Sequence, residues 1–144
     1  MRRRSNNIIM SAERLTVDAE LENLQRESFN YFLLETNPTN GLVIDKNEAD
    51  WPASIAATGL ALASYPVAVE RGFMRRAAAV ERTLTTLRFF WNSPQGPESD
   101  TTGYQGFYYH FLDMRTGRRA SQCELSTVGA NLPMHCQRPA SGRF

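Results

Sequence analysis

Three stretches of this chain space their apolar residues for helices, and each is shut off by proline or glycine, which limits the fold to a helix-dominated one. From about Thr16, a plausible cap with Asp18 and Glu20 in the first turn, Leu21, Leu24, Ser28, Tyr31 and Phe32 share one face that Phe29 and Leu33 widen, so this stripe is expected to be core. Asn37-Pro38 stops that helix and Asn40-Gly41 turns the chain. A second helix is expected over roughly 52–70, rich in Ala, Gly and Ser that let helix backbones approach closely, with Pro66 kinking or interrupting it and Gly72 ending it. In a third, near 75–91, Val80, Leu84, Leu87 and Trp91 recur at i, i+4, i+7 and i+11 and are expected to face inward.

Behind the helices, a Gly, Pro, Ser and Asp loop over 95–102 leads into the aromatic run Phe107-Tyr-Tyr-His-Phe-Leu112. A polar turn, Asp113 to Gly117, and a return through Arg118 to Ala120 make a small β-hairpin the natural expectation. Strand alternation would put Phe107, Tyr109 and Phe111 on one face and Tyr108, His110 and Leu112 on the other, with Tyr108 and His110 looking outward. Glu124 follows, just before Ser126, a good N-cap, where a carboxylate is favoured by a helix N-terminus. Earlier, Gly41-Leu-Val-Ile-Asp45 delivers a second carboxylate beside Trp51. An acid and an indole on one loop suit a sugar cleft, the ring packing on the apolar face of a pyranose while the acid takes hydroxyls. A turn-capping Asp45 and a Trp51 that staples the next helix explain the same residues equally well.

Charge narrows the partners. The chain has 144 residues and a formal net charge of +1. Four Arg and one Glu fall in residues 1–14, and two Arg with no acid in residues 129–144, leaving an acidic body of about −4 between them. An acidic body is a poor nucleic-acid surface, so Arg2-Arg3-Arg4 is read as part of a solvated, disordered basic tail over 1–14. That run has no apolar core of an export signal behind it, and no stretch is long and apolar enough for a membrane span. Cys123, Cys136, His110 and His135 show no zinc-finger spacing, so no metal is expected, and two unpatterned cysteines do not make a disulfide scaffold.

Six ordered segments resemble one family. Leu24-Gln-Arg-Glu-Ser-Phe-Asn-Tyr-Phe, Asn40-Gly-Leu-Val-Ile-Asp45, Ser54-Ile-Ala-Ala-Thr-Gly59, Val69-Glu-Arg-Gly-Phe73, Gly106 to Arg119, and Glu124-Leu-Ser-Thr127 are similar to the N-terminal part of glycoamylase-like glycoside hydrolases, which include bacterial endo-β-1,2-glucanases. The resemblance implies a mainly α fold, an (α/α)6 toroid of helix pairs with the β-hairpin at its cleft. It also implies a β-glucan, β-1,2-linked, as oligo- or polysaccharide partner, and no metal or organic cofactor. A periplasmic location is compatible with it. Glu124 and Asp45 carry over as the catalytic acids, with Tyr108, His110, Asp113, Arg115 and, more weakly, Trp51 lining the cleft. In the two-carboxylate mechanism one acid protonates the leaving oxygen and the other activates water; Glu124, near an aromatic hairpin that would raise its pKa, is the expected general acid.

The match runs over about 20–128 and stops there. The family continues Glu-Leu-Ser-Thr with Asp-Thr-Ala and a long apolar helix, whereas Gly129 to Phe144 holds two prolines and two glycines that forbid a regular helix. Residues 15–128 are therefore expected to form the N-terminal part of the hydrolase domain, residues 129–144 an aberrant or disordered tail, and the toroid to be incomplete. On that expectation the chain is a truncated hydrolase-like protein, inactive alone. Two other classes stay open: a non-catalytic carbohydrate-binding module using Trp51, Tyr104, Tyr108 and Tyr109, and a helical interaction protein using exposed apolar stripes.

Overall fold

The computed structural model describes the backbone of residues 2–120 and side-chain surroundings from residue 16. Within them lie two compact units that divide between Leu34 and Glu35. The first is one helix, α1 (Arg2–Leu34). It begins at Arg2, not near Thr16, and residues 2–14, expected as a solvated tail, belong to it. Nothing between Arg2 and Thr16 is Pro or Gly, so no residue forces a start at the threonine. The predicted core stripe is only partly realised: Phe29 is buried, but Leu21 and Leu24 are half exposed or more. Periodicity identifies residues that share a face; it does not supply a surface to cover them.

The second unit starts with a tight turn and a short extended stretch. Isolated bridges pair Thr36 with Val43 and Ile44 with Ala53, the latter in β1 (Ala53–Ser54). Ser54 then caps α2 (Ile55–Glu70), its hydroxyl accepting from the Ala57 N–H at 3.4 Å. Along α2, Thr58, Ala61, Tyr65 and Ala68 are buried at spacings of three and four, so only Ala61 and Ala68 of the helix's small residues serve the packing face, while Ala56, Gly59 and Ala63 are exposed. Pro66 sits inside α2 without ending it; the helix runs on to Glu70. Its end is the one the sequence called for: Gly72, at φ +70°, lets its own N–H reach the Val69 carbonyl and the Phe73 N–H reach the Ala68 carbonyl.

α3 (Arg76–Asn92) packs on α2, and here the structure reverses an expectation. Val80, Leu84 and Leu87 are exposed by 40% or more and Trp91 by 89%, whereas Ala79 and Thr86 are buried. The face used is the neighbouring one, small at Ala79 and Thr86 and aromatic at Phe90, because the chain approaches most closely there. At Gly41, φ is +75° and an added Cβ would collide with Thr86, whose hydroxyl donates to the Arg82 carbonyl at 3.1 Å and the Gly41 carbonyl at 3.4 Å. A bulky residue at position 86 would push the turn away.

The aromatic run forms two ladders rather than one strand. β2 (Gly103–Tyr104) and β3 (Phe107–Tyr108) pair antiparallel around Gln105 and Gly106, both at positive φ as a two-residue hairpin turn requires. β4 (Phe111–Leu112) pairs instead with β1, Ala53 opposite Leu112 and Ser54 opposite Phe111. The expected turn over 113–117 is present, closed by a Leu112–Arg119 bridge and by the Asp113 N–H to Arg118 carbonyl bond at 2.8 Å. The alternation across 107–112 is not. Between Tyr108 and Phe111 the chain changes partner, so Tyr109 and Leu112, three apart, both enter the core, while Phe107 is exposed. Leu42, Ala53, Tyr109 and Leu112 form that core, with Ile55, Phe89, Phe90 and Met114 against it.

The architecture is mainly helical, with three helices and four two-residue strands among the described residues. Gly41→Ala is expected to cost about 2 kcal/mol or more, from left-handed backbone strain together with the collision at Thr86. Thermal unfolding checks this; Gly59→Ala, with open space around its Cβ, is the control that should not destabilise.

Candidate functional site

The segment Asn37-Pro-Thr-Asn-Gly41 is the site's foundation. Short amide side chains can bond backbone two residues on, and both asparagines do: the Thr39 N–H donates to Asn37 Oδ1 at 2.9 Å and the Leu42 N–H to Asn40 Oδ1 at 3.0 Å. Each also sends its Nδ2 to one acceptor, the Met114 carbonyl, at 2.7 Å from Asn37 and 3.0 Å from Asn40. The early turn and the late hairpin are thereby locked together.

From this turn Leu42 to Ile44 leads to Asp45. The Ser54 N–H donates to the Val43 carbonyl and the Asp45 N–H to the Pro52 carbonyl, both at 3.0 Å, so residues 45–52 form a closed loop with fixed ends. The Thr58 hydroxyl supports it from below, donating to the Ser54 carbonyl and accepting from the Val43 N–H. Asp45 is exposed and its carboxylate makes no hydrogen bond or ion pair among the described residues. It does not cap its turn through that side chain. Trp51 is half-buried on the same loop, with the Lys46 ammonium 3.6 Å from its ring centroid. Lys46 therefore stands where a pyranose would stack on that ring face, which sequence reading missed, although adjacency of Asp45 and Lys46 on a short loop was the available signal.

The other predicted residues divide by what already occupies them. His110 is half-buried just before β4; its carbonyl accepts from the Ile55 N–H at 3.1 Å and its ring lies edge-on to Phe111. Its Nδ1 is buried with no hydrogen-bond partner among the described residues. Tyr108 is tied to α3, its hydroxyl donating to the Phe90 carbonyl at 3.0 Å and its ring 4.6 Å from that of Phe90. Tyr109 is core, with Arg119 stacked on it at 4.4 Å, so it is no sugar platform. Tyr104 remains half-exposed and accepts from Gln105 Nε2.

Asp113 builds the turn it sits in. Its Oδ1 accepts from the Arg115 N–H at 3.0 Å, the Thr116 N–H at 2.7 Å and the Thr116 hydroxyl at 2.8 Å. Burial works to raise its pKa, but these bonds and the Arg115 charge outweigh burial and hold the carboxyl below its ordinary value. Arg115 itself is exposed at the tip and lines a groove of about 500 Å³ with Thr39, Thr85, Arg88, Phe89 and Thr116. Arg88 and Phe89 were read in the sequence only as parts of a helix. Asp45 is not among the groove's lining residues.

Glu124 lies outside the described residues, as do Cys123, His135 and Cys136. Among the described residues no three His, Cys, Asp or Glu gather to hold a metal ion, and no helix is long and apolar enough to cross a membrane.

No protein-family profile matches the chain, and no curated protein does. Among solved structures, the chain is similar to a protein described as a candidate glucoamylase from Bacteroides uniformis, at 31% sequence identity and a TM-score of 0.56. That match covers 69% of this chain and 23% of the other, so this chain spans about a quarter of that protein's length. The fold is glycoamylase-like.

Asp113→Asn is expected to lower stability by about 1–2 kcal/mol at neutral pH, the scale of losing a charged turn cap. Because the folded-state pKa is depressed, this contribution is complete above the ordinary aspartate value and is lost as pH falls through the folded value. Urea unfolding of both proteins from pH 7 downward should show the gap closing in acid; a gap that stays constant would contradict the assignment.

Proposed function

We propose that this chain presents a glycoside-hydrolase-type site for β-linked glucan, with β-1,2 linkage, centred on the 45–52 loop. The observation that carries the reading is the unpartnered, exposed carboxylate of Asp45 held on one fixed loop with the Trp51 ring. The glycoamylase-like fold supports it, as does the description of the similar protein as a candidate glucoamylase.

The chemistry follows from what a glycosidic bond requires. Cleavage passes through a transition state with positive charge on the sugar ring, and needs a proton for the departing oxygen and a base for the attacking water. Asp45, solvated and unpaired, suits the base that takes a proton from water. Glu124 is assigned the acid, to be held about 6.5–9.5 Å away if the reaction inverts configuration. The Trp51 indole would take the apolar face of a glucose unit once Lys46 withdraws. No cofactor enters the proposed chemistry.

A second reading, glycan binding without cleavage, uses the same loop. It is favoured where Glu124 is not brought within reach of Asp45, since one carboxylate alone lacks its acid partner.

Titration of the full chain with β-1,2-linked glucose oligomers separates these. Quenching of Trp fluorescence that is abolished by Trp51→Ala shows binding at the loop. Release of reducing ends, reduced by about two to four orders of magnitude in both Asp45→Asn and Glu124→Gln, shows the two-acid reaction. Quenching with no reducing ends supports the binding reading, and no response to any β-glucan overturns both. Lys46→Met should tighten binding a few-fold, because a neutral side chain gives up the ring more readily than an ammonium does.

A further inference from the structure

The groove between the 39–40 turn, the C-terminal half of α3 and the 115–116 turn has walls whose hydrogen-bonding groups are either used or unused. Asn40 uses its Nδ2 on the Met114 carbonyl and its Oδ1 on the Leu42 N–H, as described above. The Thr116 hydroxyl donates to Asp113, the Asn92 amide to the Arg88 carbonyl at 2.8 Å and the Ser93 hydroxyl to the Phe90 carbonyl at 2.8 Å. Unused among the described residues are the guanidinium groups of Arg88 and Arg115 and the hydroxyls of Thr39 and Thr85. Neither guanidinium closes an ion pair. Asp113 feels the Arg115 charge but takes its hydrogen bonds from backbone N–H groups and Thr116. The free capacity of the groove is therefore rich in donors and carries two positive charges.

Two guanidiniums with no carboxylate among the lining groups select anionic oxygens, because the planar fork of donors matches phosphate and carboxylate geometry. Helix C-termini disfavour anions, but at this end of α3 the Phe90 carbonyl is taken by Tyr108 and Ser93, and the Arg88 carbonyl by Asn92. Phe89 adds an apolar wall whose position is set by Gly117: any Cβ there would collide with the ring. Apolar wall, hydroxyls and paired cations in about 500 Å³ suit a small molecule with a carbon ring, hydroxyls and one anionic group.

We infer that this groove binds a sugar bearing an anionic group, a phosphate or a carboxylate, with Arg88 and Arg115 on the anion, Thr39 and Thr85 on hydroxyls and Phe89 against the ring. The inference is independent of the glucan reading of the 45–52 loop, and it names a different ligand class at a different place.

The test is an amide chemical-shift titration of the full chain with glucose 6-phosphate, glucuronate, glucose and inorganic phosphate. The expected result is saturable shifts at residues 39, 85, 88 and 115 with glucose 6-phosphate or glucuronate, about tenfold tighter than with glucose or phosphate, and weakened about tenfold by Arg88→Gln and by Arg115→Gln. The two acidic sugars tell phosphate from carboxylate. Both arginines are exposed, so the variants should keep the fold, and unchanged spectra away from the groove check that. Equal affinity for inorganic phosphate or for glucose, affinity unchanged in both variants, or no binding would each overturn the inference. The Trp51 response to neutral glucan reads the other loop, so the two proposals fail separately.

Discussion

The Met114 carbonyl accepts from both Asn37 and Asn40, and much of the second unit depends on that pair of bonds. They join backbone segments more than seventy residues apart. Once that junction is closed, the segment between Asn40 and Ile44 is aligned for β1, β1 for β4, and the turn at Gly41 for the back of Thr86. Each of these contacts is small. They matter because a backbone group left buried without a partner costs about 1–3 kcal/mol. The apolar cluster under the junction has Leu42, Ala53, Tyr109 and Leu112 at its centre.

That rigidity explains why polar residues close in sequence have different fates. Tyr108 and Asp113 are held by the scaffold, one on Phe90 and one in its own turn, whereas Asp45, Arg88 and Arg115 have no charged partner among the described residues. A site needs both kinds: charges able to meet a ligand, and neighbours that cannot move away from them. Trp51 is intermediate, half-buried with the Lys46 ammonium over its ring.

The exposed stripes of α3 and of α1 show the limit of pattern reading from another side. Val80, Leu84, Leu87 and Trp91 are spaced as a core face, yet the helix packs through Ala79, Thr86 and Phe90. Two adjacent faces of one helix differ by about 100° of rotation, and both were apolar enough to qualify. The tighter approach of the 41 turn to Thr86, which only small atoms permit, selected between them.

By itself the sequence determined the local structure: helices where apolar residues recur at helical spacing, the end of α2 at Gly72, the Asp113–Gly117 turn, and the carboxylate of Asp45 on a loop beside Trp51. These follow from dihedral preferences and from bonds between residues a few positions apart. The ordered motifs also pointed to the glycoamylase-like fold, as a resemblance rather than as a deduction from periodicity. Tertiary structure alone decided which apolar face is buried, that the aromatic run changes partner after Tyr108, and that Arg88 and Phe89 share a groove with Arg115. Those outcomes depend on which surfaces meet across distant stretches of chain, and local spacing carries no term for that.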